Sequence, residues 1–550
     1  MSRHAVVAIV VLGCFLAAAI VAVAVLAVRL SDEEEDAAAK ERQDLPDFTK
    51  CDDIAIIGAG ISGSYAAWRL RNRNLKVALY EYSNRIGGRC HTVKLPGIPD
   101  VNVEMGAMRF FPNEHPLLNR TAHELGLDVV DFVLGFGGGG DTLYYLRGKH
   151  LTYSELPTKA PYKLPDKSRI DFDTLLWEIF DNFTTSEYSG NEKLLPENRQ
   201  KIKSLDGVEL TMQSRRLFDA KYLDTETVQY ISDASSFQAE YSGLSAANWL
   251  PISNPSLPSG PNPVKTVQQG FQAIPETMVQ QFLDESSAHK LYRNHHLRSI
   301  SKNEEGHYVL TFQPTETQAG VTSDDKSAST KRTCAKKVVL AIPKLALQHL
   351  DWEGLKEDIV KDMLDNAVRD SPAAKMYFGY DDAWWRNLSL AAPYAVSTTP
   401  LRQTYDYAES ISTAKGVLNP SYTDMYMPFW EEIVRNGDFL PSTDTGDMSI
   451  AMSNTSVYLA RKLYAEVFNI TVDDVPQPKS AVMALWTSYP YGAAWYEWNP
   501  GYRWGAVETK MLKPSDTDDV FIASNIFSAS KLYDWTEGGL DMVEKMLKIL

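Results

Sequence analysis

One short run near the start of the folded region constrains this chain more than any other. Ile54-Ala55-Ile56-Ile57 reads as an apolar strand, Gly58-Ala59-Gly60-Ile61-Ser62-Gly63 follows, and Ser64 to Leu70 continues as a helix with small residues on its inner side. A second strand, Lys76 to Tyr80, ends in Glu81, 18 residues after Gly63. Gly58 permits a tight turn, Gly60 lets a pyrophosphate approach the backbone, and Gly63 lets the helix pack on the strand. The helix start offers free N–H groups and the positive end of its dipole to phosphate. An acid at the position of Glu81 suits ribose hydroxyls. Strand, glycine turn, helix, strand and acid together predict a βαβ unit that holds a dinucleotide. Gly135-Phe-Gly137-Gly-Gly-Gly140 fits the same expression. A strand-like run, Asp141 to Tyr145, follows it instead of a helix, so it reads as a turn.

Directly after Glu81 comes Arg85-Ile86-Gly87-Gly88-Arg89. Two glycines between arginines offer a second close-approach loop, with a guanidinium able to pair with phosphate oxygens.

Composition excludes other classes. The net charge of −16 argues against nucleic-acid binding, which needs clustered Lys and Arg. At 44% hydrophobic and 23% charged, the 550 residues are neither disordered nor collagen-like. Four cysteines exclude a disulfide scaffold and an all-cysteine zinc site, and no metal is expected. Ala5 to Val28 is uncharged over 24 residues, long enough to cross a bilayer. Residues 1–30 are therefore expected to be a transmembrane signal-anchor, with a cleaved signal as the alternative, and 31–50 a stalk. Lys and Arg counts on the two flanks favour one orientation and net charge the other. Five sequons, at Asn119, Asn182, Asn387, Asn454 and Asn469, favour a lumenal or extracellular catalytic part. Of the thiols beyond the head, Cys51, Cys90 and Cys334 allow at most one bridge among themselves.

Three polar or Pro-rich stretches punctuate the rest: 251–263, 314–332 and 435–447. The middle one separates two strand-like runs, Tyr308–Phe312 and Val338–Ile342, and reads as a long hairpin loop. Residues 171–250 look mainly helical. Eight of the twelve Trp fall between Trp384 and Trp535, as a large core or as the walls of an aromatic pocket.

The double arrangement of glycine loop, acid and Arg-Ile-Gly-Gly-Arg resembles the flavin amine oxidase superfamily, which binds FAD. Glu104-Met-Gly106-Ala-Met-Arg109 resembles the flavin-contacting segment of its L-amino acid oxidases. Gly270 to Pro275, Val338 to Pro343, and Lys375 in Ala-Ala-Lys-Met-Tyr-Phe resemble further segments of that family. Tyr82 to Arg89, Trp486 to Pro490, Asp519 to Phe521 and Trp535 to Glu537 resemble its gastropod defensive branch. The apolar head departs from those secreted relatives. The resemblance implies an α/β fold: a Rossmann-like, glutathione-reductase-like FAD domain interleaved with an α+β substrate domain. FAD-binding segments are expected at 51–115, 266–348 and 481–550. A helical and substrate-domain segment is expected at 116–265, and a substrate-domain sheet at 349–480.

The resemblance also implies roles. Arg109 would clamp a substrate carboxylate, a role suited to a planar, bidentate guanidinium, with Tyr405 as a second contact. Lys375 would hold a water beside the flavin, and Trp535 would wall the amino-acid site. Gly58, Gly60, Ser62, Gly63, Glu81, Tyr82, Arg89, Gly106, Ala107, Met108, Arg109, Leu297, Asn525, Gly538 and Gly539 would contact the cofactor. Asn525 stands where the family usually has Glu, and Asp534 where it usually has Gly. No cysteine follows Cys334, so the flavin is expected to be non-covalent. The implied reaction is oxidative deamination of an L-amino acid, including basic ones such as Lys and Arg, by dioxygen. It would yield a 2-oxo acid, ammonia and hydrogen peroxide. An amine or polyamine oxidase, or a catalytically silent surface protein of the same fold, is the alternative. Amino acid and dioxygen are the expected small-molecule partners, the membrane a partner through the head, and oligomer formation is left open.

Overall fold

The computed structural model describes residues 46–132, 142–189, 192–193, 195–248, 264–530 and 535–550. The apolar head, the stalk up to residue 45, the Gly135–Gly140 run, the stretch 251–263 and Asp534 lie outside them. Among the described residues no helix is long and apolar enough to cross a membrane.

Along the chain, β1 (Asp52–Ile57), α1 (Ile61–Leu70) and β2 (Val77–Tyr80) form the expected βαβ start. Next come β3 (Thr142–Leu146), β4 (Lys149–Thr152) and the helices α2 (Phe172–Phe183), α3 (Thr225–Ala234) and α4 (Ala273–Glu285). Five strands follow: β5 (Lys290–Tyr292), β6 (His295–Lys302), β7 (Tyr308–Gln318), β8 (Val321–Asp324) and β9 (Lys331–Leu340). A second group is β10 (Ala374–Tyr380), β11 (Tyr394–Ser397), β12 (Gln403–Glu409), β13 (Gly416–Thr423) and β14 (Ser480–Leu485). The chain closes with β15 (Val520–Ile522) and α5 (Thr536–Leu547).

The first sheet has eight strands in the order β5-β2-β1-β9-β7-β6, with β8 on β7 and β15 on β9. β1 runs parallel to both β2 and β9, and β9 parallel to β15. This sheet is covered on both faces, and its central strands read as continuous apolar runs for that reason. Ala55 and Ile57 join one core with Ala78, Tyr80, Val338 and Leu340. Their neighbours Ile54 and Ile56 turn the other way, into a core with Leu79, Val339, α1 and α5. The second sheet has seven strands in the order β14-β10-β13-β12-β11-β3-β4. It is antiparallel except where β11 meets β3. Its β14 straddles residue 481, where the third FAD-binding segment was expected to begin.

The expected hairpin around 314–332 needs correcting. β7 continues to Gln318 and pairs with β8, so much of that stretch is strand. Thr, Glu and Gln alternate there over an exposed ladder, and the lack of an apolar face hid the strand from a hydrophobicity reading. The described part of the Asp171–Leu250 region carries several helices, with a short strand pairing of Thr184–Thr185 and Lys203–Ser204 between them. Its helix α2 is started by Asp171, whose carboxylate accepts from Thr174 N at 3.0 Å.

Cys51 and Cys334 form a disulfide across a sequence separation of 283 residues, beside the β1–β9 pairing. Closing so long a loop restricts the unfolded chain strongly. The double substitution Cys51→Ser with Cys334→Ser should destabilise the protein by roughly 2–5 kcal/mol, seen as a lower Tm in thermal denaturation. An unchanged Tm would show that the bridge is redundant with the sheet.

Candidate active site

The first wall of the site is backbone. Gly58, at φ +98°, leaves β1 so closely under β9 that a Cβ would meet Ala341 O at 2.5 Å. A Cβ on Gly63 would meet Gly58 O at 1.8 Å, which explains why α1 can start directly against the strand. The second glycine loop packs on the first: Gly87 N donates to Ala59 O at 2.9 Å, and Gly60 faces Gly88. Glu81 sits at the end of β2. Its carboxylate accepts from Ala59 N at 2.8 Å and from Ser83 N and Oγ at 2.9 Å, which fixes it beside the first turn. Arg85 curls back onto the carbonyls of Gly88 and Cys90 and so braces the loop itself. Arg89 reaches across to Ala494 O at 2.6 Å and to Asn525 Oδ1 at 2.9 Å. Asn525 thus keeps a hydrogen-bonding role at the position where a Glu was expected.

Gly58, Gly60, Glu81, Gly87, Gly88, Arg89 and Asn525 line one cavity of about 670 Å³. At its other end lies Lys375, only 4% exposed, on the buried strand β10. Its ammonium donates to the carbonyls of Gly106 and, at 3.4 Å, Glu104, and stands 5.0 Å from the centre of the Tyr422 ring. Burial, with the Arg109 charge nearby, lowers its pKa to about 7. Burial likewise raises Glu104 to about 7, against its bonds from Phe271 N and Thr92 Oγ1. Arg109 is 4% exposed, lines the same end and lies 5.5 Å from the Phe132 ring. Phe237 touches both Tyr422 and Trp495, with ring centres 5.2 and 5.4 Å apart. The result is an apolar, aromatic chamber with two cations in its wall.

Most of the residues expected from sequence meet here. Gly58, Gly60, Ser62, Glu81, Tyr82, Arg89, Gly106, Ala107, Met108, Arg109, Leu297, Lys375, Asn525, Trp535 and Gly539 all line the cavity. Gly63 and Gly538 do not: the first packs helix on strand and the second is buried in the first turn of α5. Tyr405 does not either. It is buried, and its hydroxyl donates to Gln403 Oε1 at 2.9 Å. The β12–β13 ladder slips between Gln403 and Tyr405. Tyr422 on β13 occupies the cavity instead. Sequence reasoning also missed Phe237, Trp495, Asp173 and the pair His295-His296, all of which line it. Only the tryptophan-rich C-terminal half hinted at this wall. Trp486, Trp495 and Trp535 face the cavity, while Trp385, Trp430, Trp498 and Trp504 fill the cores.

Among the described residues no cluster suited to a metal ion occurs. The close-approach turns, the anchored acid and the bridging arginine fit a dinucleotide, and the chamber beyond them fits a small reactant. Fold and site therefore define a dinucleotide-dependent enzyme with a buried reaction chamber. Residues 61–527 match the model of the flavin containing amine oxidoreductases, and the chain belongs to that family. It is a flavin-dependent oxidoreductase, with FAD as its cofactor. Achacin of Lissachatina fulica is 32% identical over 512 residues, covering 92% of this chain and 94% of that one. Aplysianin-A of Aplysia kurodai is 32% identical over 522 residues, covering 92% of each. These are the gastropod proteins that the sequence motifs led us to expect. Among solved structures, cyclohexylamine oxidase from Brevibacterium oxydans IH-35A superposes with a TM-score of 0.63 at 17% identity, covering 91% of this chain and 98% of that one. That likeness is one of fold.

A lysine lowered to about 7 is a free amine above that pH and an ammonium below it. Turnover should therefore rise with pH through about 7. Replacing Lys375 with Met should remove that limb and slow turnover by about 10²-fold or more. A pH profile of kcat/KM checks this, and a limb that survives the substitution would assign the titration to Glu104.

Proposed function

We propose that the protein oxidises L-amino acids with dioxygen and water, forming a 2-oxo acid, ammonia and hydrogen peroxide. The observation that carries this reading is Arg109, a buried guanidinium in the wall of the chamber that also holds Lys375. A planar guanidinium in the wall of an apolar chamber suits a carboxylate, which it can bind through two parallel hydrogen bonds. A simple amine brings none, whereas an amino acid brings its carboxylate.

Glu81, the two glycine turns, Arg89 with Asn525, and the Gly106–Met108 backbone would hold the FAD. Bound flavin supplies the hydride acceptor and returns the electrons to dioxygen. The remaining work falls to the chain. Arg109 grips the carboxylate in two parallel hydrogen bonds and so fixes how Cα–H points. Tyr422, Phe237 and Trp495 close the chamber around the substrate and limit its water. Lys375, a free amine at neutral pH and above, takes or gives a proton beside the Gly106 carbonyl. Water then hydrolyses the released imino acid. Tyr405 takes no part as a substrate contact in this reading. The cofactor is held without a covalent bond: Cys51 and Cys334 are bridged, and burial pushes the Cys90 thiol, which lines the cavity, up to about 12.

The same reading extends to basic side chains. Among the described residues lining the cavity, Glu81 and Asp173 are the carboxylates, and Glu81 is committed to the turn. Asp173 is solvent-exposed on α2, so it marks an opening, and Tyr153 OH donates to it at 3.0 Å. A cationic side chain entering the chamber would meet this carboxylate at the opening.

A peroxide-coupled assay over L-lysine, L-arginine, L-leucine and cadaverine tests both points. L-Lysine and L-arginine should turn over fastest and cadaverine not at all. Arg109→Met should cost on the order of a hundredfold in kcat/KM for every amino acid. Asp173→Asn should cost about tenfold for L-lysine and little for L-leucine. Oxidation of cadaverine without L-lysine would overturn the carboxylate assignment.

We further propose that the catalytic part works outside the cytosol, reached through the apolar head at Ala5–Val28. The disulfide suits an oxidising compartment. Asn182, Asn387, Asn454 and Asn469 are exposed, and Asn119 is half-buried. Protein made in a secretory host should lose mass on treatment with an N-glycan-removing amidase. No loss of mass would count against this location.

A further inference from the structure

The wall facing Lys375 is held from behind by two adjacent residues whose side chains do not line the cavity. The segment Ala234–Phe237 lines it, at the end of α3, and presents Phe237 to Tyr422 and Trp495. Arg402 is fully buried and has a positive φ of 57°. It spends its guanidinium on backbone carbonyls: Ser397 at 2.6 Å, Asp233 at 3.3 Å, and Ser235. Two of these close the end of α3. Gln403, also fully buried, donates from Nε2 to Ser236 O at 3.0 Å. A carbonyl only accepts, so this bond fixes which way the amide points. Its Oε1 then accepts from Tyr405 OH at 2.9 Å and Tyr394 OH at 3.0 Å. On the far side of the segment, the Asp424 carboxylate accepts from Ala239 N at 2.7 Å.

We infer that the Arg402-Gln403 pair is a positioning device that fixes the Ser235–Phe237 wall and thereby sets which substrate side chains the chamber accepts. The inference rests on the proposed function only for the name of the substrate. Three features separate it from ordinary packing. The bonds converge on the carbonyls of 233, 235 and 236, where α3 ends and irregular chain begins. The donor amide is locked by two tyrosine hydroxyls, so it cannot rotate to another partner. An arginine kept in a left-handed backbone conformation, strained for any residue with a Cβ, is held there by those bonds. Tyr405 thus acts on the chamber through Gln403.

The test uses the flavin-loaded protein carrying Gln403→Met, which keeps the volume and removes the amide, and Tyr405→Phe, which keeps the amide and frees its orientation. Hydrogen exchange read by mass spectrometry reports the wall itself without any substrate. Amides 235–239 should exchange faster in Gln403→Met, and less so in Tyr405→Phe, with the β1–β2 region unchanged. In the coupled assay, KM for L-lysine should rise about tenfold in Gln403→Met, the effect of one lost buried hydrogen bond. Its kcat should change less, and the L-lysine to L-leucine preference should shift. A lower Tm with unchanged exchange at 235–239, or with unchanged KM values and preference, would overturn the proposal. If the unaltered protein oxidises no amino acid, the proposed function fails while the exchange result still decides whether this pair holds the wall.

Discussion

Backbone packed against backbone at the end of the parallel sheet is the constraint on which the rest depends. β1 turns under β9 at Gly58 with no room for a Cβ, α1 starts on that turn because Gly63 has none, and the Gly87-Gly88 loop lies on top. Together these contacts leave a groove bounded by peptide groups and a helix N-terminus, which is what a pyrophosphate requires. Glu81 is locked to the same turn through Ala59 N. The cofactor end of the site is therefore shaped by backbone contacts.

The reactive end is built on a different principle. The second sheet delivers Lys375 from the middle of a buried strand, and the Glu104–Arg109 segment brings a second cation to the same chamber. Burial weakens the hold of Lys375 on its proton. In the proposed function the two groups take different roles: Arg109 recognises the carboxylate, and Lys375 exchanges a proton near neutrality. The aromatic rings around them add shape and exclude water. Asp173, at the opening, is the group of opposite sign.

How legible this was depended on how local each feature is. The glycine turns, Glu81, Arg89 and the Gly106–Arg109 segment each lie within a few residues of the strand or turn that positions them, and they were named from sequence. Tyr405 was expected in the site from the family resemblance; its hydroxyl bonds to Gln403, and Tyr422, opposite Gln403 across the β12–β13 ladder, lines the cavity. The strand extension at Thr315–Gln318 reads as loop in the sequence because no apolar face marks it. Asp173 and Phe237 had no motif at all. They come from the helical insertion, and only its docking on the second sheet brings them to the cavity.

By itself, the sequence determined the dinucleotide-binding start, the family, and the two cations of the chamber. Those follow from local rules: a turn that only glycine fits, a helix that begins on it, and short motifs whose spacing is set by one strand or one turn. Tertiary structure alone decided which aromatic rings face the substrate, which thiols pair, and that Arg402 and Gln403 brace the wall from behind. Such contacts join residues more than a hundred positions apart, Gln403 with Ser236 and Cys51 with Cys334 among them. Their geometry depends on strand register and on how the insertion packs, and neither is written in any short stretch of chain.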